Sequence, residues 1–218
     1  MDNNRTVKPT LGFNPEKMYA RISGYAAALD WRDVLSALAF MKKSHEGQTR
    51  KDGQPYIVHP LTMACHAIAL GVRKPSVIAA LLLHDVCEDC GVAPGQLPVS
   101  KRTREIVGLL TRVGKQPLDE YYAPIGKDPD AALCKILDCC HNVTSMAGPF
   151  SIAKIREQIE EKERYIYPLF AVVKHEEPDY GNMLFILKYQ IVGIDNSLLA
   201  VMDAMEARDC ERHPEGGM

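Results

Sequence analysis

The sequence predicts an all-α fold, and three observations predict it. Apolar residues recur three and four apart along most of the chain, the period of a helix face. The stretches so patterned are bounded by capping residues, glycine and proline. Only Lys42–His59 breaks the period, among the turn residues Gly47, Gly53, Pro55 and Pro60.

Residues 1–29 read as a polar N-terminal extension. Asp30 then stands before Trp31, Val34, Leu35, Leu38 and Met41 as an N-cap, with Asp33 near the positive end of the helix. The glycine- and proline-rich stretch that follows is a loop with room for one short β-hairpin near residues 46–58. Leu61–Leu70 is a short helix ended by Gly71. Pro75 opens Ser76–Asp89, whose first half is so apolar that it belongs in the core. After the loop Gly91–Pro98, two more helices are expected over Arg102–Thr111 and Asp130–Met146. Gly148 and Pro149 separate the second from Ser151–Lys174, whose mixed charges (Lys154, Arg156, Glu157, Glu160, Glu161, Lys162, Arg164) read as a solvated face with i,i+4 pairs. The last stripe, Leu184, Leu187, Ile191, Ile194, Leu198, Val201 and Met205, is a core-packing helix; a homo-oligomer seam through the 184–205 helix is the alternative. The expected organisation is one domain over 30–180, a helix over 181–210 packed on it, and a flexible tail over 211–218.

Composition narrows the function. The chain has 218 residues, 46% hydrophobic and 25% charged, enough to bury a full core. Lys+Arg 26 against Asp+Glu 28 gives a net charge of -2 with no basic stripe, which disfavours a nucleic-acid partner. The longest unbroken apolar run, Val77–Leu83, is far shorter than the roughly 20 residues of a bilayer span, and no apolar leader follows Met1. No membrane partner is therefore expected. Seven cysteines, an odd number, fit reduced thiols and a cytoplasmic location.

The chemistry concentrates in Leu83-His84-Asp85-Val86-Cys87-Glu88-Asp89, where an apolar helix runs into one imidazole and three carboxylates. Burying such groups without partners is costly, and a divalent metal neutralises carboxylates while accepting a neutral imidazole. Acidic residues are also disfavoured at a helix C-terminus by its dipole, so a polar helix end explains the cluster poorly. His59, mounted between Pro55 and Pro60, is a second candidate ligand. Asp138, His141 and Asn142 share one face of an otherwise apolar helix.

Together, His59, His84-Asp85 and Asp138 match the H…HD…D pattern of the HD-superfamily metal phosphohydrolases. The surrounding text is more specific. His45-Glu-Gly-Gln-Thr-Arg50-Lys51-Asp-Gly-Gln-Pro55-Tyr56-Ile-Val-His59-Pro60, Ala79–Asp89 and Lys135–Asn142 resemble, in order and separation, three motifs of the RelA/SpoT hydrolase domain. The resemblance runs from about Trp31 to Lys174, and is also to the small single-domain alarmone hydrolases. It implies an HD-domain helical bundle that hydrolyses the 3′-pyrophosphate of guanosine tetra- and pentaphosphate (ppGpp and pppGpp), usually with Mn2+, another divalent metal being the alternative. It implies His59, His84, Asp85 and Asp138 as metal ligands. Glu88 and Asp89 would act on the nucleophile and the leaving group. Arg50, Lys51, Asn142 and Ser145 would meet the nucleotide, Arg50 by stacking and Lys51 through phosphate. No synthetase domain is expected after Lys174.

The chain departs from the family pattern at Cys90, Cys139, Thr144 and Ser145, positions near the nucleotide, and keeps every ligand and carboxylate named above. His45 and His141 read as packing residues, with support of the ligands as the alternative. Cys87, Cys90, Cys139, Cys140 and His141 offer a rival zinc or redox site, although they lack paired spacing. Two other functions fit less of the sequence. One is an HD phosphohydrolase of another nucleotide, which would not need the Arg50-Lys51 motif. The other is a non-catalytic nucleotide-sensing module, which would not need the whole ligand set.

Overall fold

The computed structural model describes residues 14–51, 53–146 and 150–212. The expectations for residues 1–13, for Gly148 and Pro149, and for the tail beyond 212 lie outside them. The described residues form α-helices and short helical turns: α1 Pro15–Ala28, α2 Arg32–Ser44, α3 Val58–Ala69, α4 Pro75–Leu83, α5 Val86–Cys90, α6 Lys101–Leu110, α7 Leu118–Ile125, α8 Pro129–Asn142, α9 Ile152–Glu161, α10 Tyr167–Glu176 and α11 Gly181–Arg212. Among them there is no strand. The expected hairpin reduces to an isolated antiparallel bridge between Thr49 and Pro55, flanked by Arg50 N donating to Gln54 O at 2.8 Å and Tyr56 N to Gln48 O at 2.9 Å.

The core is built around α4. Every residue from Val77 to Leu83 is buried, and the helix packs against α2, α3, α6 and α8. A helix apolar on all sides can only be stable inside, and each such leucine contributes about 1.5–3 kcal/mol on burial.

The structure revises several boundaries. Within the N-terminal extension, Asn14 caps α1 by accepting from Lys17 N at 2.9 Å, Pro15 takes the first helical position, and Met18, Ile22 and Ala26 are buried at every fourth residue. Asp30 does not cap α2, which starts after Trp31. It lies at φ 51, in the left-handed position that ends α1: Trp31 N donates to Ala26 O at 2.8 Å and Asp30 N to Ala27 O at 3.3 Å.

The expected helix Ser76–Asp89 breaks at His84-Asp85 into α4 and α5. The physical reason is local. His84 Nδ1 sits 2.9 Å from Leu81 O, the carbonyl that a continuing helix reserves for the amide of Asp85.

The expected helix Ser151–Lys174 is α9 and α10 joined by a π-helical turn, Lys162–Ile166. Pro168 stands two residues after it; a proline ring clashes with the carbonyl four residues back, and a widened turn relieves this. Lys162, three residues after Ile159 and seven after the buried Ile155, lies on the inner face. Far from the solvated face the charge pattern predicts, Lys162 is 4% exposed and pairs with Asp195 of α11, itself 3% exposed, at 2.6 Å.

In α11, Leu184, Leu187 and Ile191 are buried and the helix packs on α8 and α10, whereas Val201 and Met205 are exposed. The stripe thus divides into a core half and a surface half. The 30-residue stretch Pro178–Ala207 is long and apolar enough to cross a membrane by length and composition alone. Counting unbroken apolar runs does not register it, because Lys188, Asp195 and uncharged polar residues interrupt the stretch.

Candidate metal centre

Four side chains from three parts of the fold converge. His59 stands in the first turn of α3, not in a loop, where Pro60 is tolerated because first-turn amides have no helical acceptor. His84 and Asp85 occupy the break between α4 and α5, and Asp138 faces inward from the last turn of α8. His59 Nε2 lies 3.0 Å from His84 Nε2, 3.3 Å from Asp138 Oδ1 and 3.6 Å from Asp85 Oδ2. His84 Nε2 lies 3.1 Å from Asp85 Oδ2 and 3.7 Å from Asp138 Oδ1. Ligand atoms around an ion with bonds near 2.1 Å sit about 3.0–3.4 Å apart, depending on coordination number, so this spacing suits a small divalent cation.

The chemistry of the donors agrees. His84 Nδ1–H donates to the Leu81 carbonyl, so a neutral ring presents the Nε2 lone pair to the cluster. His59 Nδ1 is engaged with His141 Nδ1 at 2.8 Å, which turns its Nε2 inward as well. Two lone pairs and two carboxylate oxygens facing one another require positive charge between them. The pKa shifts register the same demand. Burial opposes a charge on His84, but Asp85 and Asp138 outweigh it and push the imidazole up to about 9. For His59 burial prevails over Asp138 and lowers the pKa. Burial also works against the carboxylates of Asp85 and Asp138, yet His84 and Lys135 respectively hold them below the usual carboxylate range. Two carboxylates against the Lys135 ammonium leave one net negative charge, which a divalent cation would reverse. The donor set therefore fits a divalent metal held by His59, His84, Asp85 and Asp138.

The structure assigns places to the other residues. Glu88 accepts from Arg112 N at 3.2 Å and lines, with His84, Asp85, Arg112, Lys135 and Asp138, a cavity of about 250 Å³ beside the cluster. Asp89 accepts from the Tyr56 hydroxyl at 2.5 Å. On the other flank, Asn142 Nδ2 donates to Asp138 Oδ1 at 2.7 Å and its Oδ1 accepts from Arg50 at 3.1 Å. The Lys51 ammonium lies 5.0 Å over the Phe150 ring, and Ser145 Oγ donates to Asn142 O at 3.2 Å. Arg50 and Asn142 thus join the site, while Lys51 and Ser145 lie at its edge.

Three further residues touch the cluster, of which the sequence reading named His141 and not Lys135 or Tyr56 as a supporting side chain. Lys135 Nζ donates to Asp138 Oδ2 at 3.0 Å, and despite burial its pKa is raised by Asp138, so it stays charged. Tyr56 touches Asp85 and Asp89. His141 supports His59 rather than merely packing; burial, then His59 and Arg50, lower it to about 3, so it is neutral. His141→Ala should weaken metal affinity about 10–100-fold with little effect on melting, read by calorimetric titration; an unchanged affinity would return it to packing. The signal in each case was one helical turn: Lys135 and His141 each stand three residues from Asp138, and Tyr56 three before His59.

The rival soft-metal site does not assemble. Among the described residues, the ligand atoms of His59, His84 and Asp138 lie within 4.8 Å of one another, and no cysteine joins them. The described cysteines are free thiols, and burial raises Cys87 and Cys90 above their ordinary value.

Comparison with known proteins agrees with the motifs. Residues 37–115 match the HD domain family. The guanosine-3′,5′-bis(diphosphate) 3′-pyrophosphohydrolase of Aquifex aeolicus is 32% identical over 124 residues, 52% of this chain and 18% of that protein. The bifunctional (p)ppGpp synthase/hydrolase SpoT of Escherichia coli K12 is 48% identical over 74 residues, 34% of this chain and 10% of that one. A GTP pyrophosphokinase of Streptomyces antibioticus is 30% identical over 157 residues, 66% of this chain and 18% of that one. The chain therefore spans less than a fifth of these relatives. Among solved structures, a metazoan orthologue of SpoT described as hydrolysing ppGpp superposes with a TM-score of 0.56 at 17% identity, over 76% of this chain and 94% of that chain; the two share a fold.

Proposed function

Taking the HD-domain match of residues 37–115 and the likeness to RelA/SpoT-type hydrolases as the premise, we propose that this chain hydrolyses the 3′-pyrophosphate of guanosine tetra- and pentaphosphate, with Mn2+ as its metal, in the cytoplasm. One observation carries the reading: each of the two imidazoles that the motif names lies within 3.0–3.7 Å of the other and of both carboxylates, with Arg50 and Asn142 on one flank and Glu88 on the other.

In the overall reaction water adds to phosphorus, the bond to the ribose 3′-oxygen breaks, and diphosphate departs as the ribose hydroxyl regains a proton. When bound, the cation supplies Lewis-acid stabilisation of phosphoryl oxygens and acidifies water. The remaining work belongs to the chain. Asn142, held by Asp138 and Arg50, orders the nucleotide flank, and the Arg50 guanidinium offers a plane for the base. Lys51 neutralises phosphate from the rim. Glu88 Oε, aimed into the cavity beside His84, takes the proton from the attacking water, and Asp89 handles the proton of the leaving side.

The test is direct. Purified chain with Mn2+ is offered guanosine tetraphosphate, deoxynucleotide monophosphates and NADPH. Diphosphate release from the first alone is expected; turnover of a different nucleotide alone would move the substrate, and turnover of none would overturn the proposal.

A further inference from the structure

The Tyr56 hydroxyl lies 2.6 Å from Asp85 Oδ2 and 2.5 Å from Asp89 Oδ2. Those carboxylates stand four residues apart, on either side of the turn that opens α5, and repel one another. A phenol carries one proton, so it bridges two acceptors only if its oxygen is held between them. The structure holds it there. The Tyr56 ring is stacked on His45 at 4.4 Å and 15°, and His45 is 2% exposed, with Nδ1 2.8 Å from Gln48 Oε1. The Tyr56 amide donates to Gln48 O at 2.9 Å, and its carbonyl accepts from His59 N at 3.1 Å, so the same residue also sets the start of α3. Cys90 closes the base of this column, its thiol donating to Ser44 O at 3.3 Å.

We infer that Tyr56 is a positioning residue that clamps the candidate catalytic carboxylate Asp89 to the candidate metal ligand Asp85. Asp85 Oδ2 is the atom that faces both imidazoles, so the clamp ties the place of Asp89 to that of the cation. Asp89 is otherwise exposed, at the end of a five-residue helix closed by Gly91 at φ 66; without the hydroxyl, nothing in the column restrains it from swinging to solvent. His45 and Gln48 then form a support behind the Tyr56 hydroxyl.

The inference rests on the proposed hydrolysis and on the reading of the four ligands as a cation site, and the experiment separates the levels. Tyr56→Phe keeps the ring and its stack. It should leave melting close to wild type, lower kcat about 10–100-fold with KM nearly unchanged, and weaken Mn2+ affinity about tenfold by calorimetry. In a double-mutant cycle, adding Tyr56→Phe to Asp89→Asn should cost little further kcat, because the clamp has lost the charge it holds. Tyr56→Phe with unchanged kcat and Mn2+ affinity, or additive losses in the cycle, would overturn the inference alone. Wild-type Mn2+ binding without turnover of any nucleotide would overturn the hydrolase reading; the clamp would then stand or fall on the Mn2+ affinities of the two variants. Failure of wild type to bind Mn2+ would overturn both.

Discussion

Replacing His84 with alanine should abolish bound manganese and reduce diphosphate release from guanosine tetraphosphate by about a thousandfold or more, roughly 4 kcal/mol of transition-state stabilisation. His84 is central to the cluster: its Nε2 is within 3.0–3.7 Å of the other three ligand atoms. Its loss leaves the buried His59 and Asp138 and the partly exposed Asp85 facing one another, with Lys135 paired to Asp138 as a compensating charge. His84 Nδ1 also occupies the Leu81 carbonyl, so the variant removes the local cause of the break between α4 and α5. Metal content, turnover and helicity should be measured together. A folded variant that keeps stoichiometric manganese and wild-type turnover would refute the assignment of this histidine as a ligand.

Lys162→Met should be the most destabilising single change outside the site. Both members of the Lys162–Asp195 pair are almost wholly buried, and Asp195 Oδ2 already has no hydrogen-bond donor among the described residues. Removing the ammonium strands a buried carboxylate, at a cost of about 3–5 kcal/mol. For a chain of this size that is a fall in Tm of about 6–20 °C. The sign reverses when both partners go: Lys162→Met with Asp195→Leu should recover to within about 1 kcal/mol of wild type, since an apolar pair needs no desolvation of charge. Chemical denaturation of the two variants is the measurement. A single variant that loses under about 1 kcal/mol would show that the pair is solvated.

The same lysine marks where sequence reading stops. Its neighbours Lys154, Arg156, Glu157 and Arg164 are half-buried or exposed, as a charged helix predicts. Lys162 is not, because it stands three residues after Ile159 and seven after the buried Ile155, on the inner face of the helix, a phase that the surrounding run of charges masks. The convergence of His59, His84, Asp85 and Asp138 was legible because the motif sets those residue types at fixed separations, and the helices because their core faces keep one period. The break at His84-Asp85 was not, since its cause is a side chain bonding a carbonyl three residues back. Asn14-Pro15 and the spacing of Met18, Ile22 and Ala26 did announce α1; the polar residues around them masked it. The links from Tyr56 and His141 to the ligands depend on tertiary placement, which no linear pattern contains.

The break between α4 and α5 also bears on how this protein can change over generations. Before it lie residues whose substitution registers as melting temperature; after it lie Glu88 and Asp89, exposed enough to vary without disturbing the core. A continuous helix would transmit a repacking of Val77–Leu83 to Glu88 and Asp89 as a rotation. Two residues of turn uncouple them, so selection for heat tolerance and selection for substrate can act on adjacent stretches of one chain with little mutual cost.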